Sequence, residues 1–205
     1  MGADFTFYRH GIVFIVSGPS GAGKSTLVEG LMARFPELGL SISYTTRAPR
    51  GAETDGREYL FVTTEEFARR RDGDELAEWA EVHGALYGTP RAPLDDAIAA
   101  GRDMLLDIDV QGARRLKRVY RDSAVAVMVF PPSWDELERR LRNRRTDDEA
   151  AIARRLARAR EEADHLPEYD YFIRNADRDD AVAQLIAIVR AERARVSRIV
   201  VEPAP

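Results

Sequence analysis

The sequence contains no cysteine, which excludes disulfide bonds, thiolate nucleophiles and zinc sites built on thiolates. Its three histidines, His10, His83 and His165, are dispersed and lack the spacing of metal ligands. No apolar run approaches the roughly 20 residues that a membrane helix requires, and the first residues lack the apolar stretch of a signal peptide. We therefore expect a cytoplasmic protein with no membrane partner.

Lysine is scarce as well. Of the 31 basic residues only Lys24 and Lys117 are lysines, which leaves 29 arginines. One arginine inside a motif is therefore weak evidence, whereas a lysine inside a motif is informative. The net charge of −4 differs from that of nucleic-acid-binding domains, which are usually strongly basic, so nucleic acid is not an expected partner. A chain of 205 residues fits one compact unit, as a monomer or within a homo-oligomer.

Lys24 lies in a glycine-rich run directly behind the apolar stretch 12–16. A buried strand that leads into a glycine-rich turn and then a helix binds phosphate, because backbone N–H groups and the helix dipole favour anions. In the pattern G-x-x-x-x-G-K-[ST] the lysine reaches the terminal phosphates and the Ser25 hydroxyl ligates Mg²⁺. The predicted phosphate site comprises Gly18, Pro19, Ser20, Gly21, Ala22, Gly23, Lys24, Ser25 and Thr26.

Apolar segments typical of buried strands alternate with helical segments along the chain, at 12–16, 104–109, 124–130 and 169–173. This alternation predicts an α/β fold, a doubly wound parallel sheet with ligands at the carboxyl ends of its strands. Residues 40–45 alternate apolar and polar residues and predict one strand with a single buried face. Residues 75–91 are too punctuated for one regular element, and 181–200 predict a long terminal helix.

Two acids, Asp107 and Asp109, end the strand predicted over 104–109. Such a pair serves either as metal ligands or as a turn or helix cap. With the phosphate loop upstream, we expect at least one of them to serve Mg²⁺ together with Ser25, directly or through water. Asp109 also begins the D-x-x-G pattern of a GTPase switch, but the chain has no N-K-x-D motif to read guanine in that way.

Further motifs lie between the loop and these acids: S-Y-T-T-R-A-P-R at 43–50, G-R-E-Y at 56–59, E-W at 78–79 and Y-G-T at 87–89. With them the chain resembles guanylate kinase from about residue 12 to about residue 195, in order and without large gaps. The resemblance implies ATP-dependent phosphorylation of GMP to GDP, and of dGMP to dGDP, by in-line transfer with Mg²⁺. It also implies a P-loop core (12–40, 93–140 and 161–200), an inserted small mixed α/β GMP-binding lobe (41–92), a helical lid (141–160) and a leader (1–11).

The resemblance assigns the acceptor site by motif position. Ser43, Glu78 and Thr89 would read the base, and Asp109 belongs to the same GMP-binding set. A single carboxylate can accept hydrogen bonds from both N1–H and N2–H₂ of guanine. Taken one at a time, these residues also fit structural roles, and Glu78 fits a solvated helix acid. The phosphate of GMP suits forked guanidiniums and phenol hydroxyls. The residues that would hold it are Arg47, Arg50, Tyr59 and Tyr87.

The resemblance also implies a catalytic set of Lys24 with Arg140, Arg144 and Arg155, arginines that close over the transferring phosphoryl group. A solvated basic face remains the alternative, because other arginines surround these positions. The lid turn often has glycines where this chain has Asn143 and Arg145, which leaves the hinge geometry open. Asn175 matches a position near the adenine of ATP and fits equally well as a turn residue after the last strand.

Two other functions share parts of this pattern. A non-catalytic guanylate-kinase-like interaction module would have little reason to keep Lys24, Ser25 and the lid arginines together. A ribose-bisphosphate kinase of similar architecture would keep the phosphate loop and lose the residues that read guanine.

Overall fold

The computed structural model describes residues 6–82, 84–143 and 148–202. It confirms the α/β class, with a parallel central sheet flanked by helices. The strands, in chain order, are β1 (Thr6–Arg9), β2 (Val13–Ser17), β3 (Gly39–Leu40), β4 (Tyr44–Thr45), β5 (Leu60–Phe61), β6 (Leu76–Val82), β7 (Ala85–Pro90), β8 (Met104–Asp107), β9 (Ala124–Phe130), β10 (Tyr171–Arg174) and β11 (Ile199–Glu202). The helices are α1 (Lys24–Arg34), α2 (Thr64–Asp72), α3 (Arg91–Ala99), α4 (Val110–Tyr120), α5 (Trp134–Asn143), α6 (Glu149–Ala163) and α7 (Arg178–Arg193).

The central sheet has five parallel strands in the order β10-β9-β2-β8-β3. Successive side chains of a strand point to opposite faces, so β2 supplies both layers of the core. Phe14 and Val16 pack with residues of α1 and α7, whereas Val13 and Ile15 pack with residues of α3 and α4. The middle strand β2 is therefore packed between two helix layers, and the phosphate loop begins at its carboxyl end.

A second sheet has four strands in the order β5-β4-β7-β6. The single strand predicted over 40–45 is wrong: β3 joins the central sheet and β4 joins the second one. The alternation of apolar and polar residues continues across the crossing, which hides the change of sheet. The punctuated segment 75–91 contains β6 and β7, which pair antiparallel with a register shift between Leu76 and Glu78. Gly88 packs within this hairpin, where an added Cβ would lie 2.8 Å from Leu76 Cδ1.

The long terminal helix predicted over 181–200 is wrong at its end, since α7 stops at Arg193 and β11 follows. The β-branched run 199–201 favours a strand. Within the segment predicted as a leader, residues 6–9 form β1, which pairs antiparallel with β11. Buried Asp103 ties this ribbon to the core, because its carboxylate accepts two hydrogen bonds from Arg9, one from Arg193 and one from the N–H of Ile12.

Helices α5 and α6 pack on each other through a small apolar cluster that includes Leu137, Leu141, Ile152 and Ala159. Asp148 begins α6, since its carboxylate accepts a hydrogen bond of 2.7 Å from the N–H of Ala151. In the part of the chain that the structure describes, no helix combines the length and apolarity needed to cross a bilayer.

Candidate functional site

The glycine-rich loop connects β2 to α1 in a backbone conformation that only glycine adopts readily. Gly18, Gly21 and Gly23 have φ angles of 142°, 95° and 91°. Neighbouring groups also exclude a side chain: a Cβ at Gly18 would lie 2.1 Å from the carbonyl oxygen of Val129. A Cβ at Gly23 would lie 2.3 Å from the side-chain nitrogen of Asn175. The loop is thus shaped by its own glycines and enclosed by Val129 of β9 and by Asn175, which follows β10.

Helix α1 begins directly after this loop without a side-chain cap and without an acid in its first turn. Its first N–H groups therefore present the positive end of the helix dipole, which favours an anion. The Lys24 ammonium donates a hydrogen bond of 2.8 Å to the carbonyl of Gly18 and lies 4.0 Å from Asp107 Oδ1. Backbone, dipole and ammonium converge on one small volume at the carboxyl end of β2.

Two oxygen ligands stand beside the loop. Strand β8 pairs with β2 and places Asp107 opposite Val16, so that the Ser25 hydroxyl donates to Asp107 Oδ2 at 3.2 Å. The pKa of Asp107 is raised, because the effect of burial exceeds the lowering by the Lys24 ammonium and the Ser25 hydroxyl. Asp109 caps α4 by accepting a 2.9 Å hydrogen bond from the N–H of Gly112.

Three residues that follow β9 in the sequence reach the phosphate loop. The Arg140 guanidinium donates to the carbonyls of Ala22 (3.3 Å) and Asn175 (3.0 Å). Asn175, buried after β10, donates its side-chain amide to the Ala22 carbonyl at 2.7 Å. Arg155 on α6 donates to the Ser20 hydroxyl at 2.8 Å. Of the predicted arginines, Arg144 lies outside the described residues.

The second sheet gathers a group of aromatic and basic side chains around Arg47. Its guanidinium donates to the Tyr87 hydroxyl at 3.1 Å and lies 5.3 Å from the centre of the Tyr59 ring. The Tyr59 and Tyr87 rings meet edge to face at 5.7 Å. Glu53 accepts from Arg47 at 2.9 Å and from the backbone N–H of Arg50 at 2.7 Å. The side chain of Arg50 is exposed.

Glu78 and Thr89 form a buried pair across β6 and β7. The strands place them opposite each other, and the Thr89 hydroxyl donates to Glu78 Oε1 at 2.7 Å. Only 7% of Glu78 and none of Thr89 is exposed. The pKa of Glu78 is raised to about 7, mainly by burial and in addition by the nearby charge of Asp109, while the hydrogen bond from Thr89 opposes the rise. Glu78 is therefore a buried strand residue, and its interpretation as a solvated helix acid is wrong.

Glu78 faces the start of α4, where a Cβ on Gly112 would lie 3.1 Å from Glu78 Oε2. The structure thus brings Glu78, Thr89 and Asp109 together. Ser43 lies in the segment between β3 and β4, where its carbonyl accepts from the N–H of Leu60 at 2.9 Å. Within the described ranges its hydroxyl makes no hydrogen bond to the other two base-reading candidates.

Sequence reasoning missed two charged residues at this site. Glu53 accepts hydrogen bonds from the Arg47 side chain and from the Arg50 backbone, and so holds both in place. In the sequence, the one indication of this role is the position of an acid between the two arginines and the strand β5 that follows. Arg158 on α6 donates to Asp109 Oδ2 at 3.1 Å. It stands one helical turn after Arg155, but among so many arginines the spacing alone could not single it out.

Known proteins resemble this chain over nearly its whole length. The family model that matches residues 11–192 is described as Guanylate kinase. The guanylate kinase of Bordetella pertussis is 54% identical over 187 residues, which cover 91% of this chain and 86% of that protein. The guanylate kinase of Agrobacterium fabrum is 47% identical over 193 residues, covering 94% and 88%. The crystal structure of guanylate kinase from Anaplasma phagocytophilum has a TM-score of 0.80 at 35% identity, covering 95% and 92%.

Proposed function

The chain belongs to the guanylate kinase family, and from this premise we propose that it transfers a phosphoryl group from ATP to GMP or dGMP. The observation that carries the proposal is the pairing of a phosphate loop with the buried Glu78–Thr89 pair of the second sheet. The loop suits a polyphosphate donor, and the buried pair suits a guanine acceptor.

We assign three working parts to the chain. The core comprises 12–40, 93–140 and 161–200, and residues 18–26 with Asn175 hold ATP. The lobe 41–92 holds GMP, and the segment 141–160 acts as a lid. Helix α6 belongs largely to this lid and contacts the loop through Arg155, so the lid contributes to the donor site.

Recognition of guanine follows from the chemistry of the buried pair. An ionised Glu78 accepts from N1–H and N2–H₂ of the base, and the Ser43 hydroxyl can donate to O6. The Thr89 hydroxyl now donates to Glu78, so it would have to turn from the carboxylate in order to donate to O6. Adenine would present a lone pair to the carboxylate in place of N1–H. An unpaired buried polar group costs about 1–3 kcal/mol, and more when charged, which is enough to select the base.

The acceptor phosphate fits the group around Arg47. Arg47 and Arg50 supply forked guanidiniums for a phosphate dianion, and Tyr59 and Tyr87 supply hydroxyls. Glu53 occupies the Arg47 guanidinium at 2.9 Å. We therefore expect the phosphate to compete with Glu53 for Arg47 when GMP binds.

Phosphoryl transfer needs no general base in this site, because the attacking phosphate oxygen of GMP is already anionic at neutral pH. Catalysis then consists of alignment and charge neutralisation. Lys24 and the arginines that reach the loop, Arg140 and Arg155, stabilise the charge on the transferring group. Arg144 joins this set by its position in the sequence. Exclusion of water by the lid protects ATP from hydrolysis.

The residues beside the loop fit Mg²⁺, because the Ser25 hydroxyl and the Asp107 carboxylate offer adjacent hard oxygen ligands. We assign Ser25, Asp107 and Asp109 to the metal, partly through water. When bound, Mg²⁺ neutralises charge on the β- and γ-phosphates of ATP. Asp107 also lies within reach of Lys24, so this carboxylate orients the lysine as well.

The proposal is tested by quantifying ADP and the new diphosphate formed from ATP with GMP, dGMP, AMP or UMP. Equal amounts of ADP and GDP are expected, with little turnover of AMP and UMP. The two lysines provide a matched pair: Lys24→Arg should abolish turnover, since a guanidinium does not fit the cradle, whereas Lys117→Arg should keep the ion pair with Asp170 and the activity. Absence of GDP in the wild type would favour a binding module, and activity in Lys24→Arg would overturn the mechanism.

A further inference from the structure

Arg158 connects the lid helix α6 to the acceptor side of the site. Its Nη2 donates to Asp109 Oδ2 at 3.1 Å, and its Nε donates to Glu162 Oε1 at 3.1 Å. All three side chains are largely enclosed, with 30% of Arg158, 26% of Asp109 and 12% of Glu162 exposed. One guanidinium therefore binds two carboxylates in a partly desolvated space.

Asp109 stands between this arginine and the base-reading pair. Its Oδ1 caps α4 by accepting from the N–H of Gly112, and that glycine lies against Glu78 Oε2. Without Arg158, the Asp109 carboxylate would lose the guanidinium that it now binds close to buried Glu78. The position of α6 thus bears on the electrostatics of the acceptor pocket.

Arg155 and Arg158 are three residues apart and share one face of α6. Arg155 donates to Ser20 of the phosphate loop, and Arg158 donates to Asp109 at the acceptor pocket. Helix α6 is consequently fastened at both ends of the phosphoryl path. These polar contacts attach α6 to the loop and to α4, in addition to its apolar contact with α5.

We infer that Arg158 is a positioning residue, which acts through Asp109 to seat α6 and thereby couples the docking of Arg155 on the loop to the acceptor pocket. This inference rests on the proposed function for its kinetic consequence. It concerns the same reaction and adds a residue that touches neither the loop nor the buried Glu78–Thr89 pair. Arg158 works by fixing the helix that carries a catalytic arginine.

The kinetic test compares Arg158→Gln with Arg154→Gln, which removes an exposed arginine from the same helix. We expect Arg158→Gln to lower kcat/KM for GMP about tenfold, as for loss of a partly buried charge partner, and Arg154→Gln to leave it unchanged. Arg158→Lys, which keeps the charge, should recover part of the loss. Equal values for the two glutamine variants would overturn the inference.

A double-mutant cycle separates this role from a general loss of structure. Asp109→Asn retains the oxygen that caps α4 and loses the charge that Arg158 binds. The cycle is read by hydrogen exchange of residues 149–163 in the nucleotide-free protein, because kcat/KM would also report the roles of Asp109 toward GMP and Mg²⁺. If Arg158 acts through Asp109, the double variant should exchange little faster than Arg158→Gln alone. Accelerations that multiply would show that the two residues act independently, and the inference would fail.

Hydrogen exchange in the nucleotide-free protein tests the seating of α6 without relying on activity. Amides of residues 149–163 should exchange faster in Arg158→Gln than in the wild type. In Arg154→Gln they should exchange at the wild-type rate. Unchanged exchange in Arg158→Gln would refute the seating. If the wild type makes no GDP, the proposed function fails, and hydrogen exchange still tests whether Arg158 seats α6. If the wild type is active and Arg158→Gln changes neither kcat/KM nor hydrogen exchange, only the inference on Arg158 fails.

Discussion

Glu78→Gln is expected to make the protein more stable at alkaline pH while it impairs the use of GMP. The substitution keeps the size of the side chain and the oxygen that accepts from the Thr89 hydroxyl. It removes a charge from a side chain that is only 7% exposed. Burial of an ionised carboxylate costs free energy because the charge loses its hydration, whereas a neutral amide does not have this charge to desolvate.

The magnitude follows from the pKa. Burial raises the pKa of Glu78 from its ordinary value of 4.5 to about 7. The native state therefore keeps this proton over a pH range in which the unfolded chain has lost it. Stability from this group is fully present below about pH 4.5 and is lost as the pH rises through about 7. At about 1.4 kcal/mol for each tenfold step, the ionised carboxylate costs on the order of 3 kcal/mol at pH 8.

Thermal or urea unfolding at pH 5 and pH 8 measures this difference. At pH 8 Glu78→Gln should raise Tm by roughly 6–12 °C, the equivalent of about 3 kcal/mol in a domain of this size, and at pH 5 by much less. Glu81→Gln is the matched control, because it makes the same chemical change at an exposed position of the same strand. A gain no larger than that of Glu81→Gln, or one equal at both pH values, would refute the reasoning.

Three further outcomes are expected. KM for GMP should rise about tenfold for each pH unit below 7, because Glu78 gains a proton there. The rise should be weaker in Glu78→Gln, where the GMP phosphate still titrates and residue 78 does not. Parallel pH profiles of KM would exclude Glu78 as the group that reads the base. Gly23→Ala should weaken ATP binding at least about tenfold by calorimetry, because the loop needs a positive φ there and a Cβ would meet Asn175; unchanged binding would contradict the shape assigned to the loop. Asp103→Ala should lower the free energy of unfolding in urea by about 3–5 kcal/mol, because it leaves Arg9 and Arg193 without their shared carboxylate. The kcat of the folded protein should be unchanged. A decrease of only a few tenths of a kcal/mol would argue against Asp103 as the residue that attaches the β1–β11 ribbon to the core.

The phosphate loop and the central sheet follow from local patterns. Lys24 is informative because lysine is rare here, and the strands around 12–16 and 124–130 are buried on both faces, which makes their apolar runs conspicuous. The acceptor pocket is different, because Glu78 and Thr89 meet through the register of a hairpin. That hairpin contains a shift in register which residue types do not announce.

The errors share a cause. Residues 40–45 keep one alternation of apolar and polar side chains while passing from one sheet to another, so periodicity cannot mark the change. The strand β1 depends on β11, almost 200 residues away, and a short terminal segment has no local reason to form a strand alone. Arg158 went unnoticed because its importance lies in Asp109 on another helix, and composition had made every arginine look alike.

The central claim is that the buried Glu78–Thr89 pair selects guanine. It is tested most directly by titrating the wild-type protein with GMP and with AMP in a calorimeter at pH 8, without ATP, and repeating both titrations with Glu78→Gln. The account predicts that GMP binds the wild type at least about a hundredfold more tightly than AMP, and that the difference largely disappears in the variant. Equal binding of both nucleotides to the wild type, or an unchanged preference in Glu78→Gln, would contradict it.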